Sequence, residues 1–118
     1  MALFAVSAAP SLACSPGYYK NHLAAWPNGV DITGPNTGTV HYSQATALAW
    51  MQSPVVGDKS YTGFFIIATA TLNQAGGIAN SPASDWVNQN PPGSNIAASS
   101  TSWQGIEPEM IGIASWFN

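Results

Sequence analysis

The stretch from Asp58 to Gly77 constrains the fold more than any other part of the chain. Asp58 is a good N-cap, and Gly76-Gly77 is a typical helix end. Adjacent Ile66 and Ile67 also fit a buried strand, but the length of the stretch favours a helix. Apolar residues recur at helical spacing: Tyr61, Phe65, Ala68 and Leu72, with Phe64, Ile67 and Thr71 on the flank. We therefore predict a helix over about residues 59–74, at the centre of the core.

Proline, glycine and polar clusters divide the rest of the chain into short segments. Further helices are predicted over residues 18–26, 44–52 after an N-cap at Ser43, and 82–90 after Ser81, with Trp86 facing inward. A last helix is predicted to start near Pro108, and its inner face would carry Met110, Ile113, Ala114 and Phe117. Residues 30–42 hold two β-rich runs around a Gly-Pro-Asn-Thr-Gly cluster, which is typical of a hairpin. The sequence thus predicts a mainly α fold, a small single-domain bundle of about five short helices with one β-hairpin.

Residues 1–13 have the features of the end of a secretory signal peptide. An apolar run is followed by Ser11-Leu12-Ala13, which fits a small-x-small cleavage site before Cys14. The basic segment that normally opens a signal is missing, which fits a chain that begins inside a longer signal. The alternative is an N-terminal arm packed on the globular domain, residues 14–118. We expect a secreted or cell-surface protein.

Charge is scarce in this chain. Only 6% of the 118 residues are charged, and the formal net charge is −3. Nucleic acid is not an expected partner, because phosphate binding needs clusters of Lys or Arg. No apolar run reaches the roughly 18 residues of a membrane-spanning helix. Weak charge repulsion permits self-association, so a homo-oligomer or larger assembly is one expected partner state.

Catalytic patterns are weak, and the sequence predicts no catalytic residues, no metal site and no cofactor. The His, Cys and Asp residues that could bind a metal are widely spread along the chain. A Cys14–His22 pair is conceivable, but Cys14 lies at the expected mature N-terminus. A small hydrolase would need His22 to converge with Glu107 or Asp58.

One structural hypothesis and one binding hypothesis use the rare charges and the aromatic residues. Lys20 and Glu107 both lie near aromatic residues and could form a partly buried ion pair between the first helix and the last segment. Exposed Tyr and Trp rings can stack on sugar rings, which favours a carbohydrate-binding module with a polysaccharide partner. The candidate binding residues are Tyr18, Tyr19, Lys20, His22, Trp26, Trp103 and Glu107. The competing interpretation is that the Trp residues are core anchors.

Cys14 is the only cysteine. A lone cysteine in a secreted chain indicates a free thiol, a bridge to another chain, or a lost disulfide partner.

Several motifs together resemble a known family. Residues 14–22 read C-S-P-G-Y-Y-K-N-H and residues 25–27 read A-W-P. This resembles the C-T-P-G-[YF]-W-K-N-H…A-W-P signature of a family of secreted, largely bacterial domains of uncharacterised function. Later segments resemble the same family in order: Y-S-Q at 42–44, P-V-V-G-D at 54–58, T-L-N-Q-A-G-G at 71–77, P-P-G-S at 91–94 and W-Q-G-I-E at 103–107. The resemblance covers about nine-tenths of the chain.

The chain departs from this family pattern in two places. Tyr19 stands where the family usually has Trp, and the family's second cysteine, expected between Gly77 and Trp86, is absent. The resemblance therefore implies that Cys14 is the survivor of a disulfide. It also implies an extracellular, compact helical domain, and it supplies no activity. We expect a secreted or cell-surface non-enzymatic domain with a structural, adhesive or self-assembly role.

Overall fold

The computed structural model describes residues 16–53, 55–73 and 80–115. Within these ranges, five α-helices and one antiparallel hairpin follow one another along the chain. They are α1 (Pro16–Asn21), β1 (Val30–Gly34), β2 (Gly38–Tyr42), α2 (Gln44–Gln52), α3 (Lys59–Leu72), α4 (Pro82–Gln89) and α5 (Thr101–Ala114). The predicted mainly α fold with one hairpin is confirmed. Cys14, Phe117, Gly76-Gly77 and the expected signal remnant lie outside the described residues.

The hairpin forms where the sequence predicts it. β1 pairs with β2 so that Val30 lies opposite Tyr42 and Gly34 opposite Gly38. Side chains alternate across a strand, and Val30 and Ile32 are buried while the residues between and after them are exposed. The hairpin therefore has one face on the core and one face in solvent.

Helix α3 packs against β1, α1, α4 and α5, so it lies at the centre as predicted. Asp58 caps it by accepting a hydrogen bond from the Ser60 backbone N–H at 3.0 Å. Its inner face is rotated from the predicted one, because Phe64 and Ile67 are fully buried while Tyr61, Phe65 and Leu72 are half-buried. Small residues at positions 60, 63, 68 and 70 bury that face against the neighbouring elements.

An aromatic cluster joins the hairpin to the helices. The Phe64 ring lies edge-on to Tyr42 at 5.2 Å and to Trp50 of α2 at 4.9 Å between centroids. The rings of Trp86 and Trp103 also meet edge-on, at 5.4 Å between centroids, and the burial of Trp86 confirms its predicted inward position. Edge-to-face contacts of this kind add to the stability that area burial gives.

The first predicted helix is interrupted. α1 ends at Asn21, His22 has non-helical backbone angles, and a 3-10 turn follows at Leu23–Ala25. The side chains of Asn21 and His22 bond back to the carbonyl oxygens of Gly17 and Tyr18, at the end of α1. Pro27 further disfavours helical angles at Trp26, so a continuous helix over residues 18–26 does not form.

The last helix starts earlier than predicted. Ser100 is its N-cap, and the Ser100 hydroxyl accepts a hydrogen bond from the Trp103 N–H at 3.1 Å. Pro108 lies inside α5 instead of opening it. A proline inside a helix costs about 3 kcal/mol because it removes a backbone hydrogen bond. Burial of Trp103, Met110 and Ile113 on one side of α5 offsets that cost. In the described ranges, no helix has both the length and the apolar character that crossing a bilayer requires.

Candidate functional site

Asp85 fixes the hairpin to α4. It lies in the first turn of α4, is 6% exposed, and accepts hydrogen bonds from the backbone N–H groups of Asn36 at 3.0 Å and Thr37 at 2.8 Å. Burial alone raises the pKa of Asp85, but the hydrogen bonds from Thr37 and Asn36 together outweigh it, so its pKa lies below the ordinary value. A Cβ on Gly34 would overlap the same carboxylate. The Asp85 carboxylate therefore has a structural role, which is to hold the hairpin turn against α4.

Asn88, one turn further along α4, completes this attachment. Its amide nitrogen donates to the Ile32 carbonyl and to the Thr37 hydroxyl, each at 3.0 Å. Its amide oxygen accepts a hydrogen bond from the Tyr42 hydroxyl at 2.8 Å. Burial raises the pKa of Tyr42, which keeps this hydroxyl protonated as a donor. We call Asp85 and Asn88 the α4 clamp.

Asp58 holds a second loop in the same way. Its carboxylate accepts hydrogen bonds from the backbone N–H groups of Asn95 at 3.0 Å and Ile96 at 2.9 Å, and from the Ser60 hydroxyl at 2.6 Å. Burial raises the pKa of Asp58, yet the hydrogen bonds from Ser60, Ile96 and Asn95 outweigh it and lower the pKa overall. The Ser60 hydroxyl in turn accepts from the Gly93 N–H at 3.1 Å. Asp58 thus organises the loop before α5.

Glu109 supplies a cap that the sequence does not reveal. Ser81 occupies the N-cap position of α4 as predicted, but its side chain makes no capping hydrogen bond. Instead, the Glu109 carboxylate reaches from α5 and accepts from the Ala83 N–H at 2.9 Å. Negative charge at a helix N-terminus is stabilising, so this contact joins α4 to α5.

The predicted aromatic binding surface is largely absent. Trp26 and Trp103 are 3% exposed and Tyr19 is 5% exposed, so these three rings cannot stack on a ligand. The Trp26 indole N–H donates to the Tyr19 carbonyl oxygen at 2.8 Å. Tyr18 is exposed, but the His22 ring stacks on it at 4.1 Å between centroids. Tyr19, Trp26 and Trp103 therefore act as core anchors, as the competing interpretation expects, and of the four proposed stacking rings only Tyr18 is exposed.

The predicted charge pairs also do not form. Between described side chains, the ion pair joins Asp31 to His41, and Lys20 and Glu107 do not pair. Lys20 is exposed on α1, which packs against α2 and α3, whereas Glu107 lies on α5. The Asp58 carboxylate accepts from the loop before α5 and the His22 ring bonds to the Tyr18 carbonyl, so these two groups do not pair with each other. In the described part of the chain, no three His, Cys, Asp or Glu residues group as metal ligands would.

A groove lies between the start of the hairpin and the carboxyl end of α3. Its volume is about 370 Å³. One wall is the segment 25–31 and the other is formed by Thr71 and Leu72. Trp26 and Val30 are almost fully buried, so the wall they form is fixed in the core. We call this cavity the Trp26 groove.

The wall of the Trp26 groove is held rigidly. The Gln44 side-chain amide donates to the carbonyl oxygens of Leu23 at 2.8 Å and Trp26 at 3.2 Å. Gly29 has φ +93°, which favours glycine, and a Cβ there would collide with the backbone of residues 42–44. The Gly29 N–H donates a hydrogen bond to the Trp26 carbonyl oxygen at 3.1 Å, which closes the turn. This wall of the groove is therefore preformed.

Among the described residues that line the Trp26 groove, Asp31 is the one with an ionisable side chain. It lies directly opposite His41 across the hairpin, and the His41 Nδ1 is 2.6 Å from the Asp31 Oδ1. The Asp31 side chain is 63% exposed and that of His41 is 55% exposed. The pair therefore holds the Asp31 carboxylate in place while leaving it open to solvent.

Trp26 is the one described groove residue that the sequence put forward as a binding candidate; Asp31, Thr71 and Leu72 were not among the candidates. Asp31 and His41 are ten positions apart in the sequence. A hairpin centred on Asn36 places these two residues opposite each other, so the register of the predicted hairpin could have indicated this pair. Nothing local marks Thr71 or Leu72 as their neighbours. Comparison of the chain with protein-family models, with curated proteins and with solved structures gave no match.

Proposed function

We propose that the chain is a secreted or cell-surface, non-enzymatic domain with an adhesive role, and that the Trp26 groove holds its ligand. The location rests on the signal-like residues 1–13 and on the resemblance to secreted domains. The adhesive role rests on the groove itself.

The observation that carries the proposal is a groove with one firmly held wall, whose described lining includes one ionisable side chain. Hydrolysis by paired groups needs an acid and a base that face the same ligand. The described lining of the Trp26 groove includes one acidic residue, Asp31, beside neutral polar and apolar residues. This arrangement suits recognition, in which a few fixed polar groups orient a ligand.

The use of the other carboxylates supports the same proposal. Three of the five acidic side chains, Asp58, Asp85 and Glu109, accept hydrogen bonds from backbone N–H groups. Each contact ties a distant segment to a helix. Most of the acidic groups in this chain therefore hold its segments together. A surface that is already rigid loses little conformational entropy when it binds a ligand.

Self-association is a second candidate, favoured by exposed apolar side chains. Val56 is fully exposed, Val55 is 51% exposed, and Ile111 on α5 is 61% exposed. With a net charge of only −3, such residues can meet those of another copy without strong repulsion. Assembly would make the domain adhesive through several grooves at once.

The test is co-sedimentation of the full chain with isolated bacterial and yeast cell walls. We expect the protein to sediment with at least one wall type and to release no soluble fragments from it. Ala25→Trp should fill the groove and reduce the bound fraction several-fold, whereas Ala24→Trp, on an exposed neighbouring residue outside the groove lining, should not. Circular dichroism checks that both variants fold.

Two results would contradict the proposal. One is a wild-type protein that stays in the supernatant with both wall types. The other is release of soluble sugars or peptides from the wall, which would show catalysis. Light scattering of the same samples tests the second candidate, since a clean monomer argues against self-association.

A further inference from the structure

We infer that the Trp26 groove is a subsite for a neutral sugar ring, with the Asp31 carboxylate as the hydrogen-bond acceptor for its hydroxyl groups. This inference rests on the proposed adhesive function and names its ligand class. It differs from aromatic stacking on an open strip, because the Trp26 ring is buried.

The size and lining of the groove fit such a ligand. Its volume of about 370 Å³ lies at the small end of ligand sites, which span about 300–1,000 Å³. Pro27 and Leu72 contribute apolar surface, while Asn28, Asp31 and Thr71 contribute polar groups. A sugar ring has the same division, with apolar C–H faces and a hydroxyl-bearing edge. The lining therefore matches both parts of the ligand.

The Asp31 carboxylate has acceptor capacity left for a ligand. Within the described residues, the Oδ1 atom of Asp31 is hydrogen-bonded to the His41 ring. The other oxygen, Oδ2, can accept from a hydroxyl group of a ligand. Hydrogen bonds to a charged acceptor are stronger than neutral ones, and His41 fixes the carboxylate before the ligand arrives.

The charge of the site selects a neutral ligand over an ionic one. An anionic ligand would meet the Asp31 carboxylate in a protein of net charge −3. A cationic ligand would gain little, since Asp31 is more than half exposed and already paired with His41. A sugar hydroxyl both donates and accepts hydrogen bonds. The Asn28 amide can supply both a donor and an acceptor, and the Thr71 hydroxyl oxygen, whose proton goes to the Ile67 carbonyl, can accept.

The test is titration of the full chain with cellotriose, chitotriose, mannotriose and, as an acidic probe, galacturonotriose, followed by calorimetry and NMR. We expect at least one neutral trimer to bind and the acidic trimer to bind more weakly. Asp31→Asn should weaken the neutral trimer roughly tenfold, because the charged acceptor is lost. Glu107→Gln removes the same charge on α5, away from the groove, and should leave the affinity unchanged.

Thr71→Val is a second variant that keeps the size of the side chain. It removes the groove hydroxyl, which itself donates to the Ile67 carbonyl at 2.8 Å, and should weaken the neutral trimer severalfold. The inference is overturned if no neutral trimer binds, or if Asp31→Asn binds as well as wild type. If the chain still sediments with cell walls in a groove-dependent way, the adhesive function survives and only the sugar assignment fails. If the chain neither binds a neutral trimer nor sediments with cell walls, the adhesive function and the sugar assignment both fail.

Discussion

The two faces of the hairpin contrast sharply in what their polar residues do. On the inner face, the α4 clamp binds the turn at Thr37, the Ile32 carbonyl of β1 and the Tyr42 hydroxyl of β2, and Asp85 is 6% exposed. On the outer face, Asp31 pairs with His41 and Thr33 with Thr39, at 2.7 Å between hydroxyl oxygens, with exposed side chains. Asp85 is buried and anchors the inner face of the hairpin, whereas Asp31 on the outer face remains open to solvent.

This difference follows from the two-residue period of a strand. Neighbouring residues point to opposite faces, so Asp31 and Ile32 belong to different environments although they are adjacent. Inner-face changes should therefore affect stability, and outer-face changes should affect binding. The predictions below test whether the two faces separate in this way.

The largest effect is expected for Ile32→Ala on the inner face. Ile32 is completely buried, and truncation of such a side chain costs about 2–5 kcal/mol because it leaves a cavity. Thr33→Ala, one residue along on the outer face, should cost less than about 1 kcal/mol, for the loss of the cross-strand hydroxyl pair. Urea unfolding of both variants measures the difference. Equal costs would show that the two faces do not differ as the burial pattern indicates.

A middle-sized effect is expected for Asp85→Asn, together with a change in acid sensitivity. The pKa of Asp85 is lowered in the folded state, so its contribution to stability is present above the unfolded pKa of about 3.9 and is lost as the pH falls through the folded pKa. Asp58 acts in the same direction. Wild type should lose stability in acid, and Asp85→Asn should be less stable near neutral pH but lose less on acidification.

Thermal melts at about pH 7 and about pH 3 check this prediction. Glu107→Gln is the matched control, because it removes a carboxylate that makes no ion pair within the described residues. It should follow the wild-type acid profile. If Asp85→Asn also follows that profile, the clamp does not depend on the charge of Asp85.

The sequence predicts those elements whose signals are local. Ser43 and Asp58 lie at N-caps, and both side chains bond to the backbone as expected. The hairpin is also correct, because its turn cluster and β-rich runs lie within one short segment. Pro108 misled the prediction of α5, since packing of distant residues outweighs its local effect.

The candidate site could not be predicted in the same way. The Asp85–Thr37 and Glu109–Ala83 contacts join residues 48 and 26 positions apart, and no local pattern indicates them. The Trp26 groove likewise joins residues 25–31 to the end of α3. The aromatic residues were proposed as binding residues because of their residue type alone. Burial depends on the complete packing of the core, and Trp26 and Trp103 are buried in it.

The smallest effect on stability is expected for the Asp31–His41 pair. Both side chains are more than half exposed, and exposed pairs contribute little because water screens them and ordering two side chains costs entropy. Asp31→Asn, His41→Ala and the double variant form a cycle whose coupling in urea unfolding should be below about 0.5 kcal/mol. A coupling above about 1 kcal/mol would make the outer face part of the scaffold. A small coupling, combined with weaker ligand binding by His41→Ala, would instead show that this pair orients Asp31 for recognition and contributes little to the fold.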